Sequence, residues 1–161
     1  MIVQIEPEIL SYSKAIQGLC ARPYYGHPRC PNFGKRKTCP PYTKLIDKVL
    51  DFSKDMYVVY TEFIVGQFAE KIRRMHPEWK SPRQWYNPRY WQPKARKFQR
   101  QEEQRAVDEF GLGKIIDGPE AHGVNVTDMM EKIGVRLEWQ WPPKHNVKNK
   151  VYLVSLAGFP L

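Results

Sequence analysis

Apolar residues recur along this chain in two rhythms, and the changes of rhythm predict its elements. Ile9, Leu10, Ala15, Ile16 and Leu19 stand at roughly helical spacing, so 8–19 predicts a short helix delivering the chain to residue 20. From 20 to 41 the periodicity gives way to Pro23, Pro28, Pro31, Pro40 and Pro41 with Gly26 and Gly34, residues that disfavour helix and strand alike. Leu45, Ile46, Val49, Leu50 and Phe52 restore a helical face over 44–53, with Thr43 as its N-cap. Met56 to Val65 is largely β-branched and aromatic and predicts a buried strand. A helix begins over Gln67 to Arg74.

Four prolines make 75–93 an ordered loop or extended arm, and Pro93 suits the first turn of a helix running to Phe110 and ended by Gly111. Asn125 or Thr127 caps a helix through Ile133, with Gly134 at its C-terminal turn. Val135 to Trp139 and Lys150 to Ala157 read as two strands joined through 142–146, closing a helix–hairpin unit over 119–161. Trp139 and Trp141 alternate with Gln140, which in an extended chain places both rings on one face, packed together against the core or a partner. The order of elements predicts a single α+β domain over 1–161, with a small sheet, packed helices and an irregular loop, or a small three-layer α/β one.

Composition adds bounds. The chain has 161 residues, enough for one domain with a real core, and 42% of them are hydrophobic. No run approaches the ~20 apolar residues of a membrane span. The opening Met-Ile-Val-Gln-Ile-Glu-Pro-Glu lacks the basic start and apolar stretch of a secretory signal, so a cytoplasmic setting is expected. The formal net charge of +9 favours polyanion partners. Its placement says more: between Glu70 and Arg105 eleven Lys or Arg face four Glu, with six aromatics interleaved. Lys80, Arg83, Arg89 and Arg96 could neutralise phosphates while Trp85 and Trp91 stack on bases, the composition of an RNA or tRNA surface. The competing reading is a solvated helix and an arm whose aromatics plug into the core or into a larger protein complex.

The chemistry concentrates in the proline-rich loop. All three cysteines lie there, Cys20, Cys30 and Cys39, separated by nine and eight residues. An odd number of thiols in a reducing compartment argues against disulfides. Three thiolates hold a metal or cluster and leave one position open for substrate or a sulfur atom. Structural zinc favours close Cys-x2–4-Cys pairs and four ligands; long spacers suit a larger object, a [4Fe–4S] cluster, with zinc as the alternative. Cys39-Pro40 repeats the Cys-Pro step of ferredoxin-type loops. Arg29, Lys35, Arg36 and Lys37 supply nearby positive charge, and His27 is the protein candidate for a fourth ligand. Outside the loop, Glu120 and His122 are candidates for acid–base roles, and no Ser-His-Asp set or phosphate-cradling glycine loop is visible.

Cys20, then Cys30-Pro31-Asn32-Phe33-Gly34, then Cys39-Pro40-Pro41, together with Pro119-Glu120-Ala121-His122-Gly123-Val124-Asn125-Val126, Glu131-Lys132-Ile133-Gly134 and Leu137-Glu138-Trp139, resemble a family of predicted metal-binding proteins of uncharacterised activity found in anaerobic bacteria and archaea. The resemblance spans about half the chain and implies metal binding by the three cysteines, with a helix and an apolar strand after Cys-Pro-Pro. It supplies no reaction. Members carry a second cysteine-rich stretch before the closing motif; this chain has Gly111 to Asp117 there, without a thiol, so a relay between two clusters is not expected. Two functions follow from these readings. One is an iron–sulfur protein with an accessible iron; the other is a nucleic-acid module or complex subunit with a structural metal.

Overall fold

The computed structural model describes residues 1–23 and 26–161. The β-branched run forms a strand at Met56–Phe63, the second of four among the described residues: β1 (Ile2–Ile5), β2 (Met56–Phe63), β3 (Lys114–Ile116) and β4 (Val151–Gly158). They make one sheet in the order β1-β2-β4-β3, and every neighbouring pair is antiparallel. Side chains alternate across a strand, and here both faces are covered. Met56, Val58 and Tyr60 turn to one core with Leu156, Ile46, Leu50, Met129 and Met130. Tyr57 and Val59 turn to the other with Ala106, Leu112 and Ala157. Burial on both faces explains why β2 is continuously apolar rather than alternating. The fold class is α+β.

Among the described residues there are also five α-helices: α1 (Lys14–Gln17), α2 (Val65–Met75), α3 (Pro82–Trp85), α4 (Pro88–Phe110) and α5 (Val126–Lys132). Helix α4 lies along one face of β2 and β4, burying Trp91, Ala95, Gln99 and Ala106. Asn87 caps it by accepting from the Arg89 amide, and Gly111 closes it at φ 65°. A buried polar seam fixes its register. Gln99 donates to the Val59 carbonyl (2.9 Å) and to Ser155 Oγ (3.1 Å), while the Thr61 hydroxyl donates to Gln99 Oε1 (2.8 Å). Asn125 caps α5 through the Asp128 amide, and Gly134 follows at φ 85°.

Several expected elements are corrected. The 8–19 helix is broken: a 3-10 turn at Pro7–Ile9, then α1, then a 3-10 turn at Gly18–Ala21. Tyr12 is recruited into an isolated bridge with Val124, and Ser13 then caps α1. The 44–53 helix shrinks to a 3-10 turn at Ile46–Lys48, because Leu50 bridges Pro160 and the Asp51 amide donates to the Phe159 carbonyl. Ile46 and Leu50 are nonetheless fully buried, so the apolar spacing reported a core contact and not a helix. The 75–93 arm contains α3 and the start of α4. Ser81 and Gln84 form a capping box ahead of α3, and Pro93 stands inside α4, not at its start.

The C-terminal hairpin is also absent, since 135–139 pairs with no strand. Its alternation still operates in an extended segment: Val135 and Leu137 pack on the core while Arg136 and Glu138 are exposed. Trp139 and Trp141 part company. Trp139 is 62% exposed, whereas Trp141 packs with Tyr86 and Trp91. The short strands β1 and β3 carry too few residues to announce a period.

Candidate metal centre and adjoining cleft

The cysteine loop is held at its stem by one amide. Gln17, ahead of Cys20, donates to the Thr43 carbonyl (3.0 Å), to Thr43 Oγ1 (3.2 Å) and to the Ala121 carbonyl (3.0 Å). Thr43, just after Cys39, donates its hydroxyl to the same Ala121 oxygen at 2.6 Å and caps no helix. The two ends of the loop are therefore clipped together on the turn Pro119–His122. His122 adds a bond from Nδ1 to the Lys44 carbonyl (2.7 Å), which places the ring proton on Nδ1. Gly123, at φ 81°, brings its carbonyl to the Ser13 amide (2.9 Å); a Cβ there would lie 2.5 Å from the Ser13 oxygen.

Within the loop, backbone bonds fold the chain around its thiols. The Cys30 amide donates to the Cys20 carbonyl (3.1 Å), Phe33 to Cys30, Gly34 to Pro40, Cys39 to Arg36 and Tyr42 to Cys39. All three thiols are free and half-buried. Burial first, then the neighbouring Cys30 and Cys39 thiols and the Glu120 carboxylate, push the Cys20 thiol above its ordinary value. Four groups that become anionic thus share one neighbourhood, and a bound cation would relieve their repulsion. By type, three thiols carried on one loop are ligands that a thiophilic metal or cluster accepts. Among the described residues, no three His, Cys, Asp or Glu side chains converge as a site for a metal ion. His27 is exposed at the loop surface, beside residues 24 and 25, which lie outside the described residues. Arg29 packs its guanidinium over Phe33, 5.1 Å from the ring centre.

Cys39 opens on a cleft of about 400 Å³ between the loop, α4 and β4. The cleft lies where β3 stops: β3 pairs only with 156–158, and among the described residues no strand pairs with β4 before residue 156 on the side away from β2. Arg36 enters from the loop and Arg96 and Arg100 from α4, all exposed. None of the three joins an ion pair among the described residues. Glu103, the natural helical partner of Arg100, is turned inward to accept from Ser155 and Gln99. Glu120 also lines the cleft. Glu120 is exposed as a residue, but burial of its carboxyl against the cleft wall disfavours the charge and raises the pKa above its ordinary value.

The residues expected to bind nucleic acid are dispersed. Lys80, Arg83, Arg89 and Arg96 are exposed, but Trp91 is core: 5% exposed, its Nε1 donating to the Tyr86 carbonyl (3.0 Å). Trp85 is half-buried, donates to the Trp79 carbonyl (3.1 Å) and meets His145 edge-on. Trp91 is therefore not open to stack on a base, and Trp85 is only partly exposed. Arm and core are sewn together by polar bonds. Asn149 donates to Tyr86 Oη (2.9 Å); His145 Nδ1 lies 2.8 Å from that oxygen and its Nε2 2.8 Å from Glu70. A carboxylate only accepts, so Nε2 carries the proton.

Sequence reading missed Gln17, Ala121, Gln99 and Arg100 as site-shaping residues. Two of them had a signal: Arg100 in its four-residue spacing from Arg96 on one helix face, and Ala121 in its place within the Pro119 to Val126 motif. No family model, curated protein or solved structure matches this chain. No helix of the described residues is long and apolar enough to cross a membrane.

Proposed function

We propose that this protein binds a metal centre through Cys20, Cys30 and Cys39, a [4Fe–4S] cluster with one iron left open toward the cleft. The observation that supports the reading is the clipped loop, which carries three free, half-buried thiols and opens the third onto a cavity lined by charged side chains. Such a cluster would supply Lewis-acid or sulfur-holding chemistry at the open iron. The cleft's own residues would set the charge around it: Arg36, Arg96 and Arg100 would attract anions, while Glu120 would offer a carboxyl within the same cavity. A reducing, cytoplasmic setting belongs to this reading, since free thiols persist there. Zinc in the same thiolates is the alternative metal, with a structural role.

Cys39→Ser tests the assignment. Iron per chain should fall by at least half in anaerobically purified protein, with the circular dichroism of the fold retained. Unchanged iron in the folded variant would remove Cys39 from the ligand set.

A second reading rests on a groove of about 440 Å³ along α4, where Arg89, Arg96 and Arg100 are exposed. There the protein would be an RNA- or tRNA-binding subunit held by phosphate contacts. Its affinity would then fall steeply between 50 and 200 mM salt, by roughly tenfold or more for a few phosphates neutralised. Salt-insensitive binding would eliminate it.

A further inference from the structure

We propose that the cleft beside Cys39 is a binding site for a small phosphorylated aromatic ligand of the nucleotide class. Its position next to a cluster rests on the iron–sulfur reading; the binding itself rests on the cleft alone. Three arginines from two separate elements converge here, and none is neutralised by a carboxylate among the described residues. Guanidinium groups engage phosphate through paired N–H donors, and three of them match a dianion better than a single carboxylate. The volume, about 400 Å³, lies within the range of small-molecule sites.

The walls carry the second half of the recognition. Trp139 is 62% exposed, yet its Nε1 is anchored to Thr127 Oγ1 (3.0 Å), so the indole is held with a face open to solvent. Tyr152 contributes another ring. Purine or pyrimidine rings stack on such surfaces without a sequence requirement. Among the described residues no strand pairs with β4 before residue 156 on the side away from β2, and a strand edge of that kind suits the hydrogen-bonding edge of a base. A long polyanion fits less well. Glu103, Asp117 and Glu120 line the same cleft and would oppose a continuous phosphate backbone, whereas one phosphate can be placed away from them.

The test titrates AMP, adenosine and inorganic phosphate into the purified protein, read by tryptophan fluorescence and calorimetry, with iron and sulfide assayed on the same samples. AMP should give a saturable response. Adenosine and phosphate should each bind at least about tenfold more weakly, because each lacks one half of the contacts. Joint replacement Arg96→Ala and Arg100→Ala should weaken AMP by about tenfold or more. Trp139→Ala should abolish most of the fluorescence change. Lys94→Ala, exposed on the far side of α4, should bind AMP normally and controls for loss of helix charge.

Iron-replete, folded protein with no saturable AMP response would overturn the ligand while leaving the cysteine centre standing. An AMP response without iron would support the ligand and count against the centre. AMP binding indifferent to the double arginine variant would overturn the site. So would affinity that rises with oligoribonucleotide length in the absence of AMP binding, which would assign the cations to RNA.

Discussion

Gln17 ties three acceptors with one amide, and two of its partners lie on the far side of the cysteine loop or more than one hundred positions along the chain. No periodicity or motif announces such a contact, because the residue type is common and the partners are mainly backbone. Its consequence is local. Gln17→Ala should lower stability by about 1–2 kcal/mol, the scale of a part-buried hydrogen-bond set, and should increase metal loss to a chelator. A thermal melt and a chelator-competition assay would show both; unchanged metal retention would mean the loop does not depend on its clip. Gly66 is a second residue with a steric role. A Cβ there would lie 2.0 Å from the Asn146 carbonyl oxygen, and the Gly66 amide donates to Asn149 at 2.8 Å. Gly66→Ala should cost about 1–3 kcal/mol in denaturant unfolding, through displacement of the 146–149 segment. A neutral result would show that this segment yields freely.

At the scale of elements, the arm 75–93 illustrates what composition hides. Proline and tryptophan read as irregular and exposed, yet Ser81-Pro82 and Asn87-Pro88 are both cap-then-proline starts, and each begins a helix. Tyr86 between them and Trp91 in the second of these helices became core. Trp91→Ala should therefore destabilise the protein by about 3–5 kcal/mol, seen as a shift of the unfolding midpoint. Loss of nucleic-acid affinity with unchanged stability would contradict that placement.

The join between α2 and the 145–149 segment has an acid-sensitive element. Arg73 first, then His145 and Arg74, hold the Glu70 carboxyl at about 2, below its ordinary value of 4.5. A carboxyl depressed in the folded state stabilises above its unfolded value, and that contribution drains away as pH falls from about 4.5 to about 2. Glu70→Gln should flatten the stability profile across that window in acid titrations followed by circular dichroism. An unchanged profile would show that other carboxylates control acid unfolding.

For the whole molecule, the pattern of buried and exposed positions was largely legible and the backbone that carries it was less so. Leu50 and Ile46 were rightly apolar but sit in a turn tied to the chain's end. Val135 and Leu137 alternate inward without pairing. At Leu50 and Asp51 tertiary bonds to Pro160 and Phe159 took the backbone groups that local propensity would have spent on a helix, whereas the Val135 amide closes the preceding helix on the Met130 carbonyl. The three cysteines and their loop were legible as a group, because thiols are few and prolines mark the segment. The cleft was not, because it depends on where β3 stops along β4 and on Gln99 fixing α4 against the sheet. The account as a whole turns on what those thiols hold. Anaerobic purification followed by iron, sulfide and zinc analysis with an absorption spectrum tests this directly. The account predicts about four irons and four sulfides per chain with a broad band near ~400 nm; about one zinc per chain and no colour would contradict it and make the site structural.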